Sequence, residues 1–304
     1  MKESKHLFVS GAPRSGTTLL ELVLSSHSQI TVTPESHFIQ RLFVKDFAAQ
    51  PLNLEQKEEA IALMRADKKL NSWPNFHLEQ FIATISWETD LTISKLLDSL
   101  FNFFALKNDG GTDYLGNKKG TYAKTRYAHY TRQVFPNARF IYIVRDPRDI
   151  VRSMLKNLSG KSLEEAATTC QIRGQCIWEM KENFPEVVFV VRYEDLILTP
   201  EKVCRQICTF LDISFDKQML KFYQLNRDGS RLLGVTKEIH PHTKTPFNPE
   251  LIQQWQKQRC FSELELETIQ TIAKDYFNYY GYQTYSSFLS EISSIALRAD
   301  KSSS

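Results

Sequence analysis

Residue types that bind a phosphate-like anion lie together in the segment Gly11-Ala-Pro-Arg-Ser-Gly-Thr-Thr18. The apolar run Leu7–Val9 precedes this segment and the amphipathic stretch Leu19–Leu24 follows it, which predicts a turn between a strand and a helix. The glycines would let the backbone approach an anion, and the first N–H groups of the helix would point at it. An ordinary strand-to-helix turn is the alternative, but a strand, two glycines, a cation and two hydroxyls found together favour an anion site.

The same segment lacks the residue that a nucleoside-triphosphate loop needs. Such a loop places Lys and then Ser or Thr after its last glycine, the lysine for the terminal phosphates and the hydroxyl for magnesium. Here Thr17 and Thr18 follow Gly16, and the nearest cation is Arg14. The motif therefore predicts a phosphate-like anion without predicting ATP and magnesium.

A second candidate anion site follows the buried-type strand Arg139–Val144. Its continuation, Arg145-Asp-Pro-Arg-Asp-Ile-Val-Arg-Ser153, carries three arginines and a hydroxyl into a helix start, with Asp149 as a cap or in the first turn. A solvated helix start whose arginines pair with its aspartates is the alternative. Because ligands of doubly wound sheets bind at the carboxyl ends of strands, the two segments can face one crevice if their strands are neighbours. Arg145 and Ser153 would then suit a ligand that is also phosphorylated on its ribose.

Short apolar segments alternate with longer helical patterns along the chain, which predicts an α/β fold with a parallel sheet and helices on both faces. The predicted strands lie at about 6–11, 30–33, 113–117, 139–144 and 187–192. Residues 54–106 are predicted to form a helical insertion, interrupted near Pro74 and around 87–90, of the kind that shapes an acceptor pocket. Its Phe and Trp residues are expected to pack in the core. We expect one domain over 5–285 and a C-terminal segment, 286–304, that ends in a disordered polar tail.

Composition excludes several classes of protein. The net charge of +3 is a small difference between 38 basic and 35 acidic residues, so no general attraction to nucleic acid or to an acidic membrane is expected. No apolar run has signal-peptide or membrane-spanning character, and we expect a soluble cytoplasmic protein. His240 and His242 have no third ligand nearby, so we expect no metal. The oligomeric state is not determined by the sequence. Five cysteines without a CxxC pair fit reduced thiols, namely Cys170, Cys176, Cys204, Cys208 and Cys260.

With both motifs present in this order, the chain resembles the sulfotransferases that use 3'-phosphoadenosine 5'-phosphosulfate (PAPS). Gly11–Leu19 resembles their 5'-phosphosulfate loop, and Arg145–Ser153 resembles their 3'-phosphate motif. The resemblance covers roughly residues 5 to 211 and implies a P-loop-like, three-layer α/β fold, with a central parallel sheet flanked by helices. Further matching segments are Asn117-Lys118, Phe135-Pro-Asn-Ala138, Val191-Arg-Tyr-Glu-Asp-Leu196 and, more weakly, Trp255.

The resemblance also implies reacting groups. Glu35 lies where tyrosylprotein and related sugar sulfotransferases carry a catalytic glutamate, so it would take the proton of the acceptor, with His37 as the second candidate base. The alternative for Glu35 is a helix start with Thr33 as N-cap and Pro34 at the first helical position. Lys118 matches the lysine that stabilises the departing phosphate. Because the chain departs here from the usual Lys-Thr-Pro pattern, Lys119 stays a second possibility for that role.

The remaining predicted ligands bind the nucleotide. Tyr193 resembles a position near the nucleotide, and a packed aromatic at a strand end is its alternative. Lys244 belongs to the segment Arg227–Pro249, which in this family often folds over the donor, although a solvated polar loop would have the same composition. The 5'-phosphosulfate would be held by Arg14, Ser15, Gly16, Thr17 and Thr18, partly through backbone amides.

The expected reaction moves a sulfuryl group from PAPS to an acceptor hydroxyl or amine by in-line displacement and leaves adenosine 3',5'-bisphosphate (PAP), with no metal. A P-loop kinase that acts on a small molecule and a non-catalytic nucleotide-binding module are the alternative functions. Sugars, phenols, peptide tyrosines and lipid-linked alcohols all stay open as acceptors.

Overall fold

The computed structural model describes residues 5–44, 51–85, 90–224 and 241–284. Within these residues, five strands form one parallel sheet in the order β2-β3-β1-β4-β5. The predicted strands are confirmed to within one residue at each end. Their bounds are β1 Lys5–Gly11, β2 Ile30–Thr33, β3 Tyr114–Lys118, β4 Arg139–Val144 and β5 Val188–Arg192.

Thirteen α-helices connect and cover the strands in the described part of the chain. Local sequence signals start several of them: Asn53 with Gln56 and Ser162 with Glu165 form capping boxes at two helix starts. The helices are α1 Thr17–Ser25, α2 Phe38–Val44, α3 Leu54–Arg65, α4 Leu78–Thr84, α5 Ile93–Lys107, α6 Thr125–Val134, α7 Pro147–Asn157, α8 Leu163–Asn183, α9 Tyr193–Leu198, α10 Pro200–Leu211, α11 Gln254–Lys257, α12 Glu263–Ile272 and α13 Lys274–Tyr280.

The sheet separates two apolar clusters, as the predicted layers require. Along β1, Leu7 and Val9 face the cluster with α1, α9 and α10, whereas Phe8 between them faces the larger cluster with the insertion, α6, α7 and α8. This alternation follows from the two-residue period of a strand, and both faces are apolar because a parallel sheet is covered on both sides. The layered α/β fold is therefore confirmed.

The predicted helical insertion consists of α3, α4 and α5, with a short 3-10 helix, Leu70–Ser72, after α3. The break near Pro74 is confirmed, and residues 87–89 of the second predicted break lie outside the described residues. Trp73, Phe81, Phe101 and Phe104 are buried in the larger apolar cluster. Core packing is thus confirmed for these aromatic residues.

Several predicted features lie wholly or partly outside the described residues. They are the loop with Arg227 and His240, and the C-terminal segment 286–304. In the described part, no helix is long and apolar enough to cross a membrane. All five cysteines are free thiols.

Candidate active site

The turn between β1 and α1 has the geometry of an anion loop. Gly16 is the N-cap of α1 with φ of 104°, and α1 has no side-chain cap, so its first-turn N–H groups face the end of the sheet. A Cβ on Gly16 would lie 2.6 Å from Cδ2 of Tyr193, and a Cβ on Gly11 would overlap the Ile143 carbonyl. Glycine is therefore required at both positions.

Ser15 closes this turn. Its hydroxyl donates to the Ala12 carbonyl at 2.8 Å, and its N–H donates to the same oxygen at 3.1 Å. Both polar groups are thus engaged inside the loop, and the Ser15 side chain is fully buried. Ser15 shapes the anion loop here, and its predicted contact with the phosphosulfate stays a prediction.

The two basic motifs meet at one edge of the sheet. β1 and β4 are neighbouring strands, and Arg14 Nε donates to Ser153 Oγ at 3.0 Å. Arg14 adopts a left-handed conformation with φ of 70°, and this conformation belongs to the same turn that positions Gly16. The expected common crevice is confirmed.

Arg145 is held in this crevice by two acceptors, while its Nε is left without one. Its Nη2 donates to Asp149 Oδ2 at 3.2 Å and to the Leu251 carbonyl at 2.9 Å, and its guanidinium lies 4.2 Å from the ring centre of Tyr193. Asp149 lies in the first turn of α7, as predicted, behind the N-cap Asp146. The buried Nε of Arg145 has no hydrogen-bond partner among the described residues. A buried orphan donor on an arginine fits an anionic ligand such as a ribose phosphate.

Residues far along the chain fix the backbone at Arg145. The Tyr276 hydroxyl donates to the Arg145 carbonyl and accepts from the Arg145 N–H, both at 3.1 Å. Next to it, Asp146 N–H donates to Glu194 Oε1 at 3.0 Å, and the Tyr282 hydroxyl donates to Glu194 Oε2 at 2.8 Å. α13 and the residues after it therefore hold the end of β4 in place.

A cavity that is partly open to solvent lies between the two motifs. Tyr193 lines it with its buried ring, so its packing and its predicted place near the nucleotide are compatible. Thr243 belongs to the wall, whereas the neighbouring Lys244 is exposed and outside that wall, so its contact with the nucleotide stays a prediction. The lining residues are Arg14, Gly16, Thr17, Thr18, Leu19, Arg145, Tyr193, Ile197, Phe222, Thr243, Pro246, Phe247, Asn248 and Leu251.

Glu35 lies in the loop after β2. The alternative prediction, a helix that starts with Thr33 as N-cap and Pro34 at the first helical position, is wrong. α2 begins at Phe38, so Pro34 and Glu35 precede the helix. The cause is tertiary: Asp67 Oδ2 accepts the N–H groups of His37 and Phe38, both at 2.6 Å. A capping acceptor supplied from the insertion sets the helix start in place of local residues.

Three lysines surround the Glu35 carboxylate. Lys118 Nζ is 3.5 Å from Oε1, while Lys69 Nζ is 2.7 Å and Lys119 Nζ 3.9 Å from Oε2. Burial alone would raise the pKa of Glu35, but the charges of Lys118, Lys69 and Lys119 outweigh it and hold that pKa well below its usual range. Glu35 is ionised at neutral pH, as a proton acceptor must be.

Lys118 links this carboxylate to the anion loop. Its buried Nζ lies 3.5 Å from Thr18 Oγ1 and 3.5 Å from Oε2 of Glu21, a buried residue of α1. Burial would lower the pKa of Lys118, but the nearby Glu35 and Glu21 carboxylates raise it, so the ammonium is charged. Of the two adjacent lysines, Lys118 is the one in contact with the loop.

Lys119 points to His37. Its Nζ lies 3.2 Å from His37 Nδ1, and its pKa is lowered to about 8 because burial and the charges of Lys69 and Lys118 outweigh Glu35. Partial burial and then the charges of Lys119 and Lys69 lower the pKa of His37 as well. His37 is therefore neutral at pH 7, with Nδ1 facing an ammonium group. Its role as a second candidate base stays a prediction.

Sequence reasoning did not identify Lys69, Asp67 or Glu21. Lys69 and Asp67 lie in a turn of the insertion whose contact with Glu35 no local spacing indicates. Glu21 did carry a signal, because it interrupts the apolar run Leu19–Leu24 on the buried side of α1. A charged residue inside such a run is almost never buried without a partner.

No cluster of three or more His, Cys, Asp or Glu side chains in the described ranges could hold a metal ion.

Comparison with known proteins decides the family. The family model described as "Sulfotransferase family" matches residues 6–217. The chain belongs to the sulfotransferase family. The matched range of the family contains both anion motifs, Glu35 and Lys118.

Curated relatives in the sulfotransferase family carry the name protein-tyrosine sulfotransferase. Protein-tyrosine sulfotransferase 1 of Danio rerio is 25% identical over 84% of this chain and 66% of its own length. Protein-tyrosine sulfotransferase A of Caenorhabditis elegans is 27% identical over 84% of this chain and 62% of its own length. The chain thus spans somewhat less than two thirds of these two relatives.

Solved sulfotransferases share the fold. The sulfotransferase domain from the curacin biosynthetic pathway has a TM-score of 0.62 at 21% identity, covering 90% of this chain and 98% of that one. The sulfotransferase domain of the Synechococcus PCC 7002 olefin synthase has a TM-score of 0.60, also at 21% identity, covering 89% and 94%. The predicted P-loop-like α/β architecture is confirmed.

Proposed function

We propose that this protein transfers a sulfuryl group from PAPS to an acceptor hydroxyl or amine and releases PAP. The observation that carries the proposal is the position of Lys118, whose Nζ lies 3.5 Å from Thr18 of the anion loop and 3.5 Å from Glu35. A candidate base and a candidate cation for the leaving group are therefore held side by side at the loop. Sulfuryl transfer needs this arrangement, because its catalysis is positioning and charge stabilisation.

Two sets of residues would bind the two ends of PAPS. Arg14 and the first-turn N–H groups of α1 would bind the 5'-phosphosulfate, and Arg145 with Ser153 would bind the 3'-phosphate. PAPS supplies a sulfuryl group on a phosphate leaving group. Glu35 would take the acceptor proton as the new O–S bond forms, and Lys118 would neutralise the charge that the bridging oxygen gains as its bond to sulfur breaks.

The names of the relatives support the phenolic hydroxyl of a tyrosine as the first acceptor to test. The insertion faces the Glu35 loop through Lys69 and Asp67, so it would form the acceptor side of the site. The alternative function, a P-loop kinase, has less support. Thr17 follows Gly16 at the position where a nucleoside-triphosphate loop needs lysine.

The direct test is transfer of ³⁵S from PAPS to a tyrosine-containing peptide, to 4-nitrophenol and to a sugar alcohol. We expect transfer by the wild type and a loss of about 10²–10⁴-fold in Glu35→Gln, the range that a general base contributes. Lys118→Ala should also lose transfer, and Lys124→Ala is the matched control, because Lys124 is exposed on the same stretch of chain. Wild-type transfer unaffected by Glu35→Gln and Lys118→Ala would refute both catalytic roles. PAP binding without transfer to any of these acceptors would indicate a binding module.

A further inference from the structure

The turn after α3 is tied to the loop that carries Glu35. Asp67 is buried, and its Oδ1 accepts the N–H of Lys69 at 3.0 Å while its Oδ2 accepts the N–H of His37 at 2.6 Å. From the same insertion, Trp73 Nε1 donates to the Glu35 carbonyl at 3.1 Å. One carboxylate and one indole therefore fix the position of Lys69 relative to Glu35.

The two oxygens of Glu35 face different parts of the site. Oε1 lies near Lys118, which contacts the anion loop, and Oε2 lies 2.7 Å from Lys69 Nζ on the insertion. An acceptor that enters opposite the donor must bring its hydroxyl to Oε2, since Oε1 is on the donor side. Lys69 occupies that place in this structure.

Of the three lysines around the Glu35 carboxylate, Lys69 is the one that can move away from it into solvent. Its side chain is 43% exposed, whereas those of Lys118 and Lys119 are 9% and 8% exposed. A half-exposed ion pair is weak enough to be exchanged for a hydrogen bond from a bound ligand. The charged or titratable groups that face Glu35 or its lysines are Glu21, His37, Asp67, Lys69, Lys118, Lys119 and Tyr122.

We propose that Lys69 is a positioning residue that occupies Glu35 Oε2 until an acceptor displaces it, and so makes the enzyme select an acceptor over water. The proposal rests on the proposed function, because it concerns the base of that reaction. Without Lys69, Glu35 Oε2 keeps only the more distant Lys119, 3.9 Å away, and can take a proton from water. The water oxygen then bonds to sulfur, the bond from sulfur to the bridging oxygen breaks, and sulfate and PAP are released.

The experiment measures release of PAP from PAPS in the absence of acceptor, beside transfer to a tyrosine-containing peptide. Lys69→Met should hydrolyse PAPS roughly fivefold faster than the wild type, the factor that corresponds to loss of an ion pair of about 1 kcal/mol. Lys69→Arg should behave as the wild type, since it restores the charge. Lys68→Met is the matched control, because Lys68 is the exposed neighbour in the same turn. The double variant Glu35→Gln/Lys69→Met should hydrolyse PAPS no faster than Glu35→Gln. That result would show that the faster hydrolysis of Lys69→Met depends on Glu35.

Rescue by arginine separates this role from a structural one. Lys69→Arg restores the charge beside Glu35 Oε2 and should bring hydrolysis back to the wild-type rate. A packing defect would slow hydrolysis in Lys69→Met, Lys69→Gln and Lys69→Arg alike.

Three outcomes would overturn the proposal. The first is hydrolysis unchanged or slower in both Lys69→Met and Lys69→Gln while PAP binding persists. The second is loss of PAP binding or early melting in both variants, which would make Lys69 a structural residue. The third is a wild-type protein that binds no PAP, does not hydrolyse PAPS and does not transfer the sulfuryl group. Of the three outcomes, this one alone also refutes the proposed function.

Discussion

Arg14 Nε donates to Ser153 Oγ at 3.0 Å although the two residues are 139 positions apart. The bond joins the turn after β1 to the second turn of α7, and it exists because β1 and β4 are neighbours. Each motif alone would favour an anion of undefined kind. Because they are held together beside one cavity, they favour a ligand with two anionic groups, as the proposed donor has.

Arg145→Ala should weaken PAP binding about thirtyfold, because a hydrogen-bonded charge contributes about 2 kcal/mol. Isothermal titration calorimetry of both proteins with PAP measures the change. Arg152→Ala is the control from the same motif, since Arg152 turns outward to Gln258. Equal affinities for PAP in the wild type and Arg145→Ala would remove Arg145 from the site.

Tyr276→Phe should weaken PAP binding, although Tyr276 does not line the cavity. The variant loses both hydrogen bonds to the Arg145 backbone and leaves buried polar groups unpaired, at a cost of about 1–3 kcal/mol in the free energy of unfolding. Urea denaturation and PAP titration check the two effects. Tyr279→Phe, on the same helix, removes only an exposed bond to Glu182 and should behave as the wild type. A Tyr276→Phe variant as stable as Tyr279→Phe would contradict this assignment.

Gly16→Ala should destabilise the fold and abolish PAP binding. The alanine would have to adopt φ near 104° with its Cβ 2.6 Å from the Tyr193 ring, and the backbone strain alone costs about 1–3 kcal/mol. Gly120→Ala is the matched control, because the nearest atom to its new Cβ would be 3.8 Å away. Thermal melting distinguishes them, and identical melting temperatures would show that the turn has another conformation.

Lys119 should titrate with a midpoint near pH 8. Burial and the charges of Lys69 and Lys118 disfavour its ammonium form, so the side chain is charged below pH 8 and neutral above it. The ¹³Cε shifts of lysine-labelled protein follow this titration, and Lys119→Met assigns the signal. Glu35→Gln should move the midpoint lower, because it removes the carboxylate that favours the charge. A midpoint at the ordinary lysine value would contradict the geometry of this cluster.

Features with local signals could be predicted from the sequence. Each strand is a short apolar run, and each anion motif is contiguous, so the sheet, the Gly16 turn and the Arg145 turn needed no long-range information. Their meeting in one crevice was expected only if the two strands were neighbours, since parallel strands present their carboxyl ends together. The structure supplies that condition by pairing β1 with β4.

Long-range contacts explain what the sequence could not show. Pro34 and Glu35 carry good helix-start chemistry, yet Asp67 moves the start of α2 to Phe38 by accepting its N–H groups. Lys69 reaches Glu35 across 34 positions, and no periodicity relates the two. Tyr276 reaches Arg145 across 131 positions. Such contacts are set by packing, which a local pattern does not encode.

The most direct test of the central claim is the melting temperature of the protein with PAP and, separately, with ATP and magnesium. At about one hundred times its dissociation constant a ligand adds about 2.7 kcal/mol, so PAP should raise the melting temperature of a chain of this length by roughly 4 °C. ATP with magnesium should leave it nearly unchanged, since the loop has no lysine after Gly16. Stabilisation by ATP and magnesium but not by PAP would contradict the account and favour a kinase.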